Sequence, residues 1–463
     1  MRALPAVLLL ATALAVLAGC GGGAGGEGST SAATTAAPAG AGRQAPSPAA
    51  GAGDPWTHMQ ALSDVAAANG RTRAAGTPGG AATERLIAER LRVAGWSVRV
   101  QRVGFPFFDE RRAPVVTLPG GRRLRAGAEV RTLEYSAGGS AHAAVVVVGG
   151  DRRDAGCGAA DWRAFPRGRI AMVRRGTCAF AAKARAAQSA GAAAVIVSDP
   201  PARGAAEPVR GTLGAPGVRV PVVTVAAGAG RALAGARGAV GVRVDAVSER
   251  RTARNVVAEL RGRDGARTVM AGAHLDSVPD GPGINDDGSG VAALLALATR
   301  LAAAPRPRDT VRLGFWTAEE LGLHGSRRHV ALLSAGDRRR IRAYVNLDMV
   351  ASPNAVLQTY GAGAAETALR RALDARGPAP VRTAIGGASD HAPFQRAGVP
   401  VAGVFTGASE RVSPQAARRF RARAGRPADP CYHRACDTLE NANHPMLERV
   451  TDAVDAALRS LAG

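Results

Sequence analysis

The sequence predicts an α/β fold, with a mixed and largely buried central sheet covered by helices and a smaller β-rich module inserted into it. Three observations lead there. From residue 255 to the end, apolar runs of strand length alternate with Ala-rich helical patterns, as in a sheet buried on both faces. Residues 55–105 carry two helical patterns and then a strand-like run, which fit as the opening of the same domain. Between these parts the texture changes to short β runs, richer in Gly and Pro, with one helix. The domain is therefore read as 53–105 plus 249–463, with 106–248 inserted.

Taken in order, the chain begins with a segment outside the fold. Arg2 precedes the apolar stretch 4–17, which has the charge and length of a secretory signal and is short for a membrane span. It ends in Leu17-Ala18-Gly19-Cys20, similar to the bacterial lipobox, in which the cysteine becomes the lipidated first residue. Residues 1–20 are read as a lipoprotein signal, and the protein as an exported cell-membrane lipoprotein anchored through Cys20, facing the extracellular or periplasmic side. Residues 21–52 are Gly, Ala, Ser, Thr and Pro with almost no large apolar side chains, so they form a disordered tether.

Helical patterns then cover 56–68 and 81–94, and a strand 96–103. In the inserted module the strands fall at 144–148, 169–173, 194–197 and 220–225, with a helix at 180–190. The main part follows with strands at 256–260, 269–273, 311–316, 344–347, 356–359 and 399–405. Its helices are 291–303, 364–376 and 446–461.

The formal net charge of +23 raises nucleic acid as a partner. The pattern argues against it. Lys183 is the only lysine, the arginines are spread along the chain, and aromatic residues make up 4%, too few for base-stacking platforms. Specific nucleic-acid recognition is not expected. Apart from Cys20 the cysteines are Cys157, Cys178, Cys431 and Cys436, an even number in a chain bound for an oxidising compartment. Pairing by proximity gives Cys157–Cys178 and Cys431–Cys436; a cysteine zinc site would show closer Cys/His spacing at both ends.

Ligands of open α/β sheets bind outside the carboxyl ends of the strands. Strand 269–273 ends in His274-Leu275-Asp276-Ser277, strand 311–316 leads to Glu319 and Glu320, and strand 344–347 ends in Asp348. The turn Gly283-Ile284-Asn285-Asp286-Asp287-Gly288-Ser289-Gly290 opens a helix between the first two. Any of these alone is ordinary, since such turns cap helices and a lone strand-end histidine is usually structural. Together they bury several carboxylates at one sheet edge, which is costly without a cation. Imidazole beside carboxylates suits zinc better than calcium or magnesium. Near the end, Cys431-Tyr432-His433-Arg434-Ala435-Cys436 adds a histidine in a short disulfide loop.

The ordered series H-L-D-S, G-I-N-D-D-G-S-G, T-A-E-E-L-G, N-L-D-M and C-Y-H-x-x-C resembles the secreted bacterial two-zinc leucyl aminopeptidases, relatives of glutamate carboxypeptidase and glutaminyl cyclase. The resemblance covers 55–105 and 250–463 and implies a three-layer αβα zinc-exopeptidase domain. Residues 168–197, from G-R-I-A-M-V onward, resemble the protease-associated (PA) domain, a lid or docking element without chemistry of its own. Lys183 and the arginines near it are then read as a solvated helix face.

The resemblance implies that Asp286 bridges two zinc ions, with His274 and Asp348 on one ion and Glu320 and His433 on the other. Asp276 would orient His274 through its other ring nitrogen. Glu319 would be the general base acting on a zinc-bridged water, Tyr432 the donor to the tetrahedral intermediate, and Phe405 part of the pocket for the first side chain. Calcium, used by some relatives, finds no support in these motifs. Ala388 stands where some relatives carry a substrate-contacting arginine, which loosens the carry-over of substrate preference. The implied activity is a monomeric aminopeptidase acting on peptides with a free, apolar N-terminal residue. The alternatives are a metallocarboxypeptidase of the same fold, a glutaminyl cyclase and an inactive binding protein.

Overall fold

The computed structural model describes residues 51–150, 152–199 and 207–463, so the signal, Cys20 and all but the last two residues of the tether lie outside the described residues. The strands, in chain order, are β1 (Ser97–Thr117), β2 (Val130–Thr132), β3 (Gly139–Ala143), β4 (Val145–Val147), β5 (Ile170–Arg174), β6 (Ala194–Ser198) and β7 (Val222–Val225). They continue with β8 (Val240–Leu260), β9 (Thr268–His274), β10 (Thr310–Trp316), β11 (Ile341–Leu347), β12 (Gln358–Gly361), β13 (Val381–Arg382) and β14 (Val401–Phe405).

Among the described residues the larger sheet has the order β1-β8-β10-β9-β11-β14-β12-β13, with β3 added on β8. Its centre, β10-β9-β11-β14, is parallel, β1 and β8 run antiparallel to their neighbours, and β12 is antiparallel to β14 but parallel to β13, so the sheet is mixed. Side chains alternate between its faces as the pleat requires. Val256, Ala258 and Leu260 pack with Val269 and Ala271 beneath helices Pro55–Ala68, Pro78–Val93, Gly288–Ala302, Gly363–Asp374 and His444–Ala462. Val257, Met270, Trp316 and Tyr344 face the other way, towards Val330 and Phe394 of helices His324–Leu332 and His391–Arg396. Helix Gly288–Ala302 is buried almost all round; its alanines bury little area each but allow the close approach that such a position needs. Helix, sheet and helix thus form three layers.

Among the described residues the inserted module has a five-stranded sheet of order β2-β7-β6-β5-β4, with helix Phe180–Ser189 and Trp162 on one face. Both expected disulfides are present, Cys157–Cys178 within the module and Cys431–Cys436 near the end.

Several elements differ from their sequence-based outlines. The strand expected at 96–103 runs to Thr117, and the one expected at 256–260 begins at Val240. The two pair as a ribbon from Ser97 opposite Glu259 to Thr117 opposite Gly241. Apolar patterning marked only one end of this ribbon, because beyond it Ser248 to Arg254, opposite Arg102 to Phe108, and then Asp109 to Arg112 are rich in charge. Lys183 is not on a solvated helix face. It is fully buried, and its ammonium donates to the carbonyl of Ala155 and lies 3.5 Å from Cys157 Sγ. The short side chains around it on an Ala-rich helix left room for a long one to turn inward.

Two buried histidines make stability depend on pH. Burial, with Arg90 adding, pulls His58 down to about 4; burial, with Arg312 adding, pulls His329 down to about 3. Unfolded, both titrate near 6.5. Below that value the unfolded chain binds more protons than the native one, so this stability is present above pH 6.5 and is lost as pH falls towards 4. Carboxyls raised to about 7, among them Glu320 and Asp437, titrate in the same range with the opposite sign, so the histidine contribution is read as a difference. Between about pH 7.5 and pH 5 the urea midpoint of the parent should fall relative to that of His329→Gln; an identical pH dependence in the two would remove His329 from the account.

Candidate metal centre

The parallel centre of the large sheet brings the carboxyl ends of β9, β10, β11 and β14 to one edge. His274 is the last residue of β9, Asp348 follows β11, and Phe405 ends β14 beside it, since Leu347 is level with Val404. Glu319 and Glu320 lie in a turn beyond Trp316, with Ala318 at φ 53°, so the alternation of strand side chains does not separate them; the turn does. His433, at φ 58°, enters from the disulfide loop, its ring stacked on Tyr432 at 3.8 Å.

Asp286 sits between the two histidines. Its Oδ1 is 3.1 Å from His274 Nε2 and its Oδ2 is 3.2 Å from His433 Nε2. Asp348 Oδ1 is 3.7 Å from His274 Nε2, and Glu320 Oε2 is 3.1 Å from His433 Nε2. Five sequence-predicted residues thus meet as two overlapping groups.

Asp287 also approaches His274 and Asp348 closely enough for a shared ion. Its oxygens are already taken, however, by the N–H groups of His274, Gly290 and Met349 at 2.9–3.2 Å. It is the N-cap of helix Gly288–Ala302 and ties three segments together.

Burial opposes positive charge on both imidazoles, but the carboxylates outweigh it and push His433 up to about 10 and His274 well above its ordinary value. The same contacts hold Asp286 below the carboxylate range despite its burial. Burial, aided by neighbouring carboxylates, raises Glu320 to about 7 and Glu319 well above its ordinary value. Burial and the surrounding acids also raise Tyr432, keeping it a hydrogen-bond donor.

His274 Nδ1 is held at 3.0 Å by Asp276, through the main-chain oxygen of that residue. The Asp276 carboxylate accepts from Glu319 N at 3.2 Å. The carbonyl still fixes the ring and leaves Nε2 to face the cluster. Ser389 Oγ donates to Asp348 Oδ2 at 2.6 Å and so aims Oδ1 at His274.

Sequence reasoning missed the residues that hold the turn. Asp437 accepts the N–H groups of Asn285 and Asp286 at 2.8 and 3.0 Å, and Asp429 accepts Asn285 Nδ2 at 2.6 Å. The two aspartates flank the disulfide loop, so the loop bearing His433 and the turn bearing Asp286 are clamped together. Their nearness to the C-Y-H-x-x-C motif was the one available signal.

The donor set, two imidazoles and three carboxylates, fits zinc. Buried Glu320 Oε1, without a hydrogen-bond partner, fits a ligand atom.

The profile of peptidase family M28 matches residues 255–458, and that of the PA domain matches 141–233. A probable lipoprotein aminopeptidase of Mycobacterium tuberculosis is 36% identical over 414 residues, 84% of this chain and 81% of its own. An aminopeptidase of Pseudomonas aeruginosa is 35% identical over 86% of this chain and 78% of its own. The chain belongs to peptidase family M28. Among solved structures, a zinc aminopeptidase from Bacillus subtilis aligns with TM-score 0.60 and 26% identity, over 90% of this chain and 96% of its own. An aminopeptidase from an Aneurinibacillus strain aligns at 0.62 and 28%, over 88% and 93%. This M28 chain is a metallo-exopeptidase, a hydrolase of the aminopeptidase kind with an inserted PA domain.

Zinc takes the neutral imidazole, while His433 holds its proton up to about pH 10 in the metal-free protein. Zinc binding should therefore release protons, and affinity should rise with pH over the neutral range. Calorimetric titration at about pH 7.5 in two buffers of different ionisation enthalpy measures the release. An affinity that does not change with pH would count against His433 as a ligand.

Proposed function

We propose that this M28 centre holds two zinc ions and removes N-terminal residues, preferentially apolar ones, from peptides. The observation that carries this reading is Asp286, whose two oxygens face the two histidines separately, as a bridging carboxylate must. His274 and Asp348 would complete one ligand set, Glu320 and His433 the other. Zinc bound there supplies Lewis acidity to a carbonyl oxygen and makes water a better acid.

The remaining steps belong to side chains of the chain. Glu319 takes the proton of the attacking water and passes it to the leaving amine; burial raises its basicity, which favours taking a proton. Tyr432, kept protonated, donates to the oxygen on which negative charge develops. Glu319 and Asp348 hold the substrate's α-ammonium, which makes a free N-terminus a requirement. Phe405, half-buried beside Asp348, offers the first side chain an apolar wall.

Export and anchoring through Cys20 are part of this reading, supported by the lipobox-like segment and by the lipoprotein relative. No helix among the described residues is long and apolar enough to cross a membrane.

Leucine amide-type substrates, free and N-acetylated, with and without a zinc chelator, test the activity. Only the free amine should be cleaved, and only without chelator; equal cleavage of both substrates would sink the aminopeptidase reading. Glu319→Ala should keep its zinc while losing roughly 10²–10⁴-fold in kcat.

A further inference from the structure

Arg73 belongs to the loop between helices Pro55–Ala68 and Pro78–Val93, outside the M28 match, and no motif marks it. It is 0% exposed, yet carries a guanidinium. Nη1 donates to Leu275 O at 2.6 Å, Nε to Pro282 O at 2.9 Å and Nη2 to Gly283 O at 2.5 Å, while its main-chain N–H donates to Ser277 Oγ at 3.0 Å. Leu275 follows His274, and Gly283 lies three residues before Asp286. One rigid fork thus joins the strand end that presents one ligand to the turn that presents the bridging one.

A neutral side chain could tie carbonyls together. A buried guanidinium satisfied only by main-chain oxygens is costly unless anions nearby compensate it. Burial lowers the basicity of Arg73, and Asp437, Asp276, Asp287 and Asp286 act against that and favour its charge. Its geometry suits positioning, since a fork that captures three carbonyls has fewer ways to shift than a single contact.

We propose that Arg73 is a positioning residue of the metal centre: it sets the separation of His274 and Asp286 and supplies a permanent positive charge against the carboxylates around them. The N-terminal segment is thereby part of the centre and not only packing beneath the sheet. The inference rests on the two-zinc reading above.

Arg73→Met and Arg73→Lys in the whole chain test it through zinc affinity, by competition with a chromophoric chelator, and through kcat and KM at full zinc loading. Thermal unfolding of the metal-free protein serves as the structural control. In Arg73→Met, zinc affinity or kcat should fall roughly 10–100-fold. KM should stay within about threefold, as expected when substrate binding is untouched. Arg73→Lys keeps the charge but cannot span three carbonyls, so it should lie between Arg73→Met and the parent; if Arg73→Met does not fold, this variant decides. Added guanidinium ion at low millimolar concentration should restore part of the kcat of Arg73→Ala and leave the parent unchanged. A lower melting temperature with zinc affinity and kcat intact in the folded fraction would overturn the positioning role. Absence of zinc binding in the parent protein would overturn the metal centre itself, a distinguishable failure.

Discussion

Everything at the active edge of this protein follows from the need to keep buried carboxylates at one end of a parallel sheet. Asp276, Asp286, Asp287, Asp429 and Asp437 are all buried there, with Glu319, Glu320 and Asp348 partly so. In a medium of low dielectric such a group is destabilising unless each charge meets a donor or a cation. The fold meets that need in three ways. Main-chain N–H groups converge on Asp287 and Asp437, imidazoles lie against Asp286 and Glu320, and the guanidinium of Arg73 sits behind the turn.

The solutions divide the carboxylates by task. Asp287, Asp429 and Asp437 spend their oxygens on main-chain and amide donors, which fixes the turn and the disulfide loop in mutual register. Asp286 and Glu320 instead face the imidazoles of His274 and His433. Glycine makes the crowding possible. A Cβ at Gly290 would lie 2.5 Å from Asp287 Oδ1 and push the cap away from its donors. The Cys431–Cys436 bridge plays a similar part, because it restricts the loop whose histidine must reach Asp286 and Glu320 together.

The PA module is joined to the main sheet by paired strands. The ribbon of β1 and β8 passes from one to the other without a break in pairing, although the register slips near Glu110 and Arg112. The connection is thus a pair of hydrogen-bonded strands, which resists bending more than two flexible linkers would. Within the module, burial of the single lysine against the Cys157–Cys178 bridge places a cation in the second hydrophobic layer, held by one carbonyl and a sulfur.

Local pattern made much of this protein legible. Apolar runs and helical repeats marked most strands and helices of the main domain, and the rule that ligands gather at strand ends drew His274, Asp348 and the glutamates to one edge. Proximity paired the cysteines. What the sequence by itself determined was therefore whatever depends on near neighbours: strand ends, the helix-capping turn, and the kinds of donor at each. Tertiary structure decided how those donors are held. Arg73 reaches carbonyls some two hundred residues away, Asp437 grips a turn about 150 residues before it, and Asp276 orients His274 by its carbonyl while its carboxylate serves Glu319. It also lengthened two charged strands that periodicity had cut short and turned Lys183 inward. The physical reason is common to all of these. A buried polar group takes whichever partner the folded chain brings within about 3 Å, and no spacing along the sequence encodes that distance.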